Sequence, residues 1–353
     1  MNHTLDMNGL IPKLPIIQGG MGVGISLHQL AGHVAAEGGI GIISSAQVGY
    51  KEPDFLSHTL EANKRALISE ITQAKKLAPN GIIGVNIMVA LKHYKEMVQS
   101  AINAGTDLII SGAGLPINLP LYARQATNAN HATKLVPIVS SGKAADVICK
   151  MWDKKHQVAP DALVIEGPLA GGHLGFSIEM LKEKLDILEI LKDVKKVVIP
   201  FEEKYQRKIP LIVAGGFYTG EDVKHALDSG SDGVQMATRF VTTYECDAPM
   251  AYKESYIKAK KEDIGIIKSP VGMPGRAILN SFIQSPPGNK VCRYQCLEKC
   301  SVNSIPYCIS NALIAAAHGN IDEALLFCGS NAYKANKLEH VNEIFTEINT
   351  ALA

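Results

Sequence analysis

Apolar residues gather along this chain into short, β-branched runs separated by longer stretches of mixed polarity. The runs are Leu14–Gln18, Gly39–Ser45, Ile82–Met88, Asp107–Ser111, Leu135–Ser140, Ala162–Glu166, Leu211–Ala214 and Gly233–Ala237. Most are continuously apolar rather than alternating, which is the pattern of a strand covered on both faces. Between them the spacing turns helical. It predicts helices over Leu27–Glu37, capped by Ser26, over Ala144–Trp152, and over Glu221–Asp228 with Gly230 as C-cap. The long stretch Ser177–Lys208 has room for more than one helix. Strand and helix alternate eight times, which predicts an α/β fold, a parallel (β/α)8 TIM barrel over residues 1–268, rather than a doubly wound sheet.

The alternation breaks at Ser269. Pro270, Pro274, Pro286 and Pro287 follow, then Cys292, Cys296, Cys300 and Cys308, then helical spacing near Ala312–His318 and Ile321–Phe327. Residues 269–353 therefore read as a small, mostly helical, cysteine-containing module packed on the barrel.

Composition narrows the function classes. The 353 residues are 46% hydrophobic and carry a net charge of +1, with no basic block for nucleic acid and no acidic tail. The longest apolar runs, such as Gly81–Ala90, are too short to span a bilayer. Met1–Pro15 lacks a basic region followed by an apolar stretch, so no secretory signal is expected. These features predict a cytoplasmic protein with neither nucleic-acid nor membrane partners. In a reducing compartment a tight cysteine group is more often a metal site than a disulfide set.

In a barrel the chemistry belongs where strands end. The first strand ends in Gly19-Gly20-Met21-Gly22-Val23-Gly24, which lets backbone approach a flat ligand and does not fit the dinucleotide fingerprint G-x-G-x-x-G. A flexible tight turn is the bland alternative. The third ends at Asn86, an amide able to pair with a ring edge or to form a turn, and the fourth at Ser111-Gly112-Ala113-Gly114. After the fifth, Lys143 reads as a solvated helix-start lysine and stays outside the site. The sixth ends in Glu166 and runs through Gly171-Gly172-His173-Leu174-Gly175. The imidazole of His173, flanked by glycines, can move protons or can simply bond its own loop. The seventh and eighth end in Ala214-Gly215-Gly216 and Gln235-Met236-Ala237-Thr238. Their loops form the recurrent phosphate site of this fold, where backbone amides and a helix N-terminus face the anion.

These segments, with Pro15–Gly22 and Gln235–Phe240, resemble the nitronate monooxygenase (2-nitropropane dioxygenase) superfamily of FMN barrels. Ser269–Arg276 is similar to the flavin-dependent enoyl-ACP reductase branch. The Cys-x3-Cys-x3-Cys group with Tyr307-Cys308-Ile309 resembles a branch of acyl-ACP dehydrogenase/isomerases that carries a [4Fe–4S] cluster. The resemblance implies that Gly20, Met21, Gly22 and Val23 lie against the flavin ring. Asn86, Ser111 and Glu166 would line its pocket. Gly172, Ala214, Gly215, Gly216, Gln235, Ala237 and Thr238 would hold the phosphate end, and His173 would transfer the proton. Cys246 matches that branch too and receives no role.

Taken apart from the family, four thiolates can hold a cubane cluster or a zinc ion. The x3 spacing would set successive thiolates one helical turn apart, which favours iron–sulfur over zinc. The leading expectation is therefore FMN-dependent oxidoreduction of a small-molecule or acyl-carrier-protein-bound acyl thioester. The cluster would pass electrons to an external acceptor, and a homodimer is the candidate assembly. The alternatives are a nitronate monooxygenase using O2, an NAD(P)H-dependent enoyl-ACP reductase with a zinc-bearing module, and a non-enzymatic flavin- or metal-binding regulator.

Overall fold

The computed structural model describes residues 3–128, 133–183, 185–285, 292–298, 300, 303 and 305–353; Pro286 and Pro287 lie outside them. Eight parallel strands close a barrel: β1 (Ile16–Gln18), β2 (Ile40–Ser44), β3 (Ile82–Met88), β4 (Leu108–Gly112), β5 (Lys134–Val139), β6 (Leu163–Glu166), then β8 (Leu211–Ala214) and β9 (Gly233–Met236), which returns to β1. The short strand β7 (Gly172–His173) lies outside the ring. It pairs with β11 (Pro274–Ile278), which in turn pairs antiparallel with β10 (Ile264–Lys268).

The runs are continuously apolar because alternate residues face two different cores. Ile40, Ile42, Leu108, Ile110, Val136, Val164 and Ile212 fill the barrel, joined by Leu5 and Met7 of the N-terminal segment. Their neighbours Ile43, Val85, Ile87 and Ile109 pack outward against the helices, as do Leu163, Ile165, Val213 and Val234. An aspartate just ahead of a strand recurs three times. Asp107, Asp161 and Asp232 accept the backbone N–H of Ile83, Leu135 and Leu211 in the neighbouring strand, which holds the register where strands begin. At the weakest seam β1 and β2 share only the pair Ile17↔Ile40. There the buried Gln18 side chain donates to the Ile42 carbonyl and accepts from its N–H, substituting for ladder bonds.

The helices depart from expectation in two places. His28–Ala36 has Leu27, not Ser26, at its N-cap; the Ser26 hydroxyl instead accepts from the Met21 N–H. Three Asp247 contacts to the amides of Leu27, Gln29 and Leu30 supply the missing cap from far along the chain. Beyond Ile321–Glu323, a single 3-10 turn, the chain does not continue as a helix to Phe327, because it is recruited into an antiparallel bridge with Ala277. Ser177–Lys208 does hold two helices, Ile178–Lys182 and Ile187–Tyr205. Gly230 follows the helix Gly220–Asp228 with φ +94°, a left-handed residue just past the end.

The last helix, Val341–Leu352, returns to the outside of the barrel, where Glu347 accepts the Gly220 N–H and Phe345 packs near Phe240. The buried Arg239 ties it down by donating to Glu339, Glu347 and the Tyr218 carbonyl. Among the described residues no helix is long and apolar enough to cross a membrane.

Candidate active site

The C-terminal strand ends open into a cleft of about 1480 Å³ counting its open mouth. Its floor is the glycine loop Gly19–Val23. Its sides carry Asn86, Glu166, Gly172, His173 and Ala214–Phe217, together with Gln235–Thr238.

The floor admits a flat ligand because side chains are excluded. A Cβ on Gly20 would sit 2.5 Å from that of Asn86. The Ser44 hydroxyl donates to the Gly22 carbonyl at 2.6 Å and fixes the loop. Gly215 and Gly216 have φ of +95° and +96° and run against Ala170 and Leu169, so only glycine suits both backbone and space.

Beyond β8 and β9 the amides of Gly216, Phe217, Thr238 and Arg239 meet no acceptor among the described residues. Converging unpaired N–H groups form an anion nest. The helix Thr238–Val241 has only four residues, so the amides themselves, rather than a long dipole, make this cradle. The Oε1 of Gln235 is also buried without a partner. A ligand with a polar ring edge and an anionic tail would satisfy both features, and the cleft fits FMN in that orientation.

His173 comes from β7 and is positioned by β11, where it lies opposite Gly275. Its Nε2 lies 2.8 Å from the Ser269 hydroxyl, and its ring meets Phe327 edge-on at 4.9 Å. Burial lowers its pKa from 6.5 to about 4, so the ring is neutral at neutral pH and can accept a proton. Burial also raises the Glu166 carboxyl from 4.5 to about 8, so that group is protonated at neutral pH. An acid and a base, both uncharged, thus face one cleft.

All the expected cleft residues come together here except Ser111. Its side chain is fully buried, donates to the Ile87 carbonyl and pairs with the Tyr94 hydroxyl at 2.8 Å. It faces outward from β4, and its successors Gly112 and Ala113 line the cleft. Lys143 starts the helix Gly142–His156 and is absent from the lining.

The four cysteines lie near one another: burial, and then the neighbouring thiols of Cys292 and Cys308, raise the thiols of both Cys296 and Cys300. Among the described residues no three His, Cys, Asp or Glu side chains are placed to hold a metal ion. The stretch around Cys296 is not helical: Gln295 has φ +44°, Leu297 bridges Leu91, and the Lys92 N–H donates to the Cys296 carbonyl. The x3 spacing therefore does not stack thiolates one turn apart. Cys296 instead accepts from the Ser310 hydroxyl at 3.0 Å. The described residues alone thus do not support a metal at these four thiols.

Sequence reasoning missed the roof. Leu313 and Ala316 of the helix Ile309–His318, with Leu325, Phe327, Cys328 and Gly329, close the cleft from beyond the barrel strands; Met88, Tyr252 and Tyr256 join them. Only the i, i+3 spacing of Leu313 and Ala316 hinted at a buried face.

Comparison with known proteins agrees with this fold. The family model described as nitronate monooxygenase matches residues 5–350. A Rhodococcus jostii protein named (3aS,4S,5R,7aS)-5-hydroxy-7a-methyl-1-oxo-octahydro-1H-indene-4-carboxyl-CoA dehydrogenase is 28% identical over 77% of this chain, which spans 64% of that relative's length. A probable nitronate monooxygenase of Staphylococcus saprophyticus is 24% identical over 80% of this chain and 81% of its own. The structure of FabK from Thermotoga maritima matches with a TM-score of 0.71 at 23% identity, over 97% of this chain and 93% of its own. That of nitroalkane oxidase from Streptomyces ansochromogenes matches at 0.67 and 20%, over 96% and 97%. Both show the same fold.

Proposed function

We propose that this chain, which belongs to the nitronate monooxygenase family, is an FMN-dependent oxidoreductase that acts on an acyl thioester. The carrying observation is the apolar roof. Met88, Leu313, Ala316, Leu325 and Phe327 close over the glycine loop beside His173, giving an acyl chain a dry wall that a small nitronate does not need. The dehydrogenase relative, named for a carboxyl-CoA substrate, supports the same reading. Delivery of the acyl group on a carrier protein, with an external electron acceptor, belongs to this proposal.

When bound, FMN supplies hydride transfer at the β-carbon of the acyl group. The amides of Gly216, Phe217, Thr238 and Arg239 would hold its phosphate, and Gln235 and Asn86 would meet polar atoms of the ring system. Gly20–Val23 would carry the flat face. His173 handles the proton at the α-carbon: it enters neutral, takes that proton in the dehydrogenating direction and returns it in the reducing one. Ser269 holds the ring at Nε2, which leaves Nδ1 free of any partner among the described residues. Tyr252 and Tyr256 both donate to the Phe327 carbonyl and so fix the wall against which the histidine packs.

The test is turnover of an acyl-ACP or acyl-CoA thioester and, separately, of propyl-2-nitronate. Thioester turnover that is lost in His173→Asn while bound flavin is kept supports the reading. Turnover of the nitronate alone refutes the substrate class, and full activity in His173→Asn refutes the proton role.

A further inference from the structure

The phosphate cradle is not built by the barrel alone. A strap from the C-terminal module, Phe327–Asn331, is stitched across it. The Gly329 N–H donates to the Thr238 hydroxyl at 2.9 Å, and the Asn331 side-chain amide donates to the Gly216 carbonyl at 2.6 Å. The Ser330 N–H donates to the Leu169 carbonyl and the Cys328 N–H to that of Arg276. The fit is close: a Cβ on Gly329 would meet the Thr238 Oγ1 at 2.6 Å, and one on Gly171 would meet the Cys328 backbone at 2.5 Å.

Two of these bonds have directional consequences. A hydroxyl that accepts from Gly329 keeps its own proton to give away, and the neighbouring unpaired amides mark where an acceptor would sit. The Gly216–Phe217 peptide is trans. Its N–H therefore points opposite to its C=O, and anchoring the carbonyl on Asn331 turns the Phe217 N–H away from the strap toward the cleft that Phe217 lines.

We infer that Asn331 and Gly329 act as positioning residues for the phosphate of the flavin, aiming the Phe217 amide and the Thr238 hydroxyl at it. The inference rests on the FMN reading above and assigns the strap a role in discriminating FMN from its unphosphorylated counterpart. Gly329 and Asn331 bond Thr238 and Gly216, at the phosphate end, so their contribution is specific to the phosphate.

The experiment compares the affinities of FMN and riboflavin by quenching of flavin fluorescence, on the full chain. Asn331→Ala is expected to weaken FMN about tenfold, the worth of one hydrogen bond that serves a charged group, and to leave riboflavin unchanged. Thr238→Val should behave likewise, and Thr238→Ser should restore tight FMN binding. Equal losses for both flavins, or undiminished FMN affinity in both Asn331→Ala and Thr238→Val, would overturn the inference. Should Asn331→Ala fail to fold, the Thr238 pair decides alone. A wild-type chain that binds neither flavin would overturn the functional reading itself, and this inference with it.

Discussion

Replacing Glu166 with glutamine removes one ionisable proton from the heart of the cleft and little else. The side chain ends β6, level with Ala214 of β8, and burial alone raises its pKa from 4.5 to about 8. The folded chain therefore holds a proton on Glu166 between those two values that the unfolded chain has released. Stability must fall as pH rises through that window. At about 1.4 kcal/mol per pKa unit, the wild type should lose about 3–5 kcal/mol that Glu166→Gln, with nothing to ionise, retains. The two proteins should be equally stable near pH 4.5 and diverge up to about pH 8, with the glutamine variant ahead. Any contribution of His173 is common to both and cancels. Urea unfolding of the flavin-free protein from about pH 5 to about pH 9 measures the difference directly. Parallel stability curves would show that Glu166 ionises normally, and the picture of an uncharged acid beside an uncharged base would fail.

Other substitutions test the frame around that cleft. For His173, folded near pH 4 against 6.5 unfolded, the unfolded chain binds more protons between those values. Stability then falls as pH drops through that window, and His173→Gln should flatten this acid limb in urea unfolding. The acid limb of kcat/KM in the wild type should lie near pH 4 rather than near 6.5. Gly41→Ala would place a Cβ 1.9 Å from the Ala31 carbonyl oxygen, backbone against backbone; thermal unfolding should show a loss of about 3 kcal/mol or more. Arg239→Met removes a guanidinium that is 5% exposed and strands Glu339, itself 16% exposed, while Glu347 keeps the Gly220 N–H. Calorimetry should register a loss of about 3 kcal/mol and early release of the last helix from the barrel.

The barrel was legible because its strands are buried on both sides, which leaves runs such as Ile82–Met88 and Leu211–Ala214 with no competing pattern; both match the observed strands residue for residue. The cleft was legible for a related reason: glycines and a histidine at strand ends have no packing role that would hide them. Ser111 was misplaced because a strand's last residues alternate inward and outward, and a one-residue difference separates it from the lining Gly112. The Ser26 cap failed because a distant carboxylate, Asp247, took the same amides. The helix expected to reach Phe327 failed because bridge pairing with Ala277 overrode local preference. The roof and the strap were invisible since their partners lie on the far side of the sequence: Asn331 meets Gly216, and Gly329 meets Thr238. The helical spacing expected around Cys296 was overridden for the same reason, as docking against Ala90–Lys92 dictates the backbone there.

Anaerobic mixing of the FMN-loaded protein with its candidate substrates tests the central claim most directly, because the visible flavin band reports the half-reaction with no acceptor present. The account predicts that a saturated acyl thioester bleaches the band, or that a 2-enoyl thioester restores it in chemically reduced protein, and that His173→Asn abolishes either change. Bleaching by propyl-2-nitronate with no response to any thioester in either direction would contradict it.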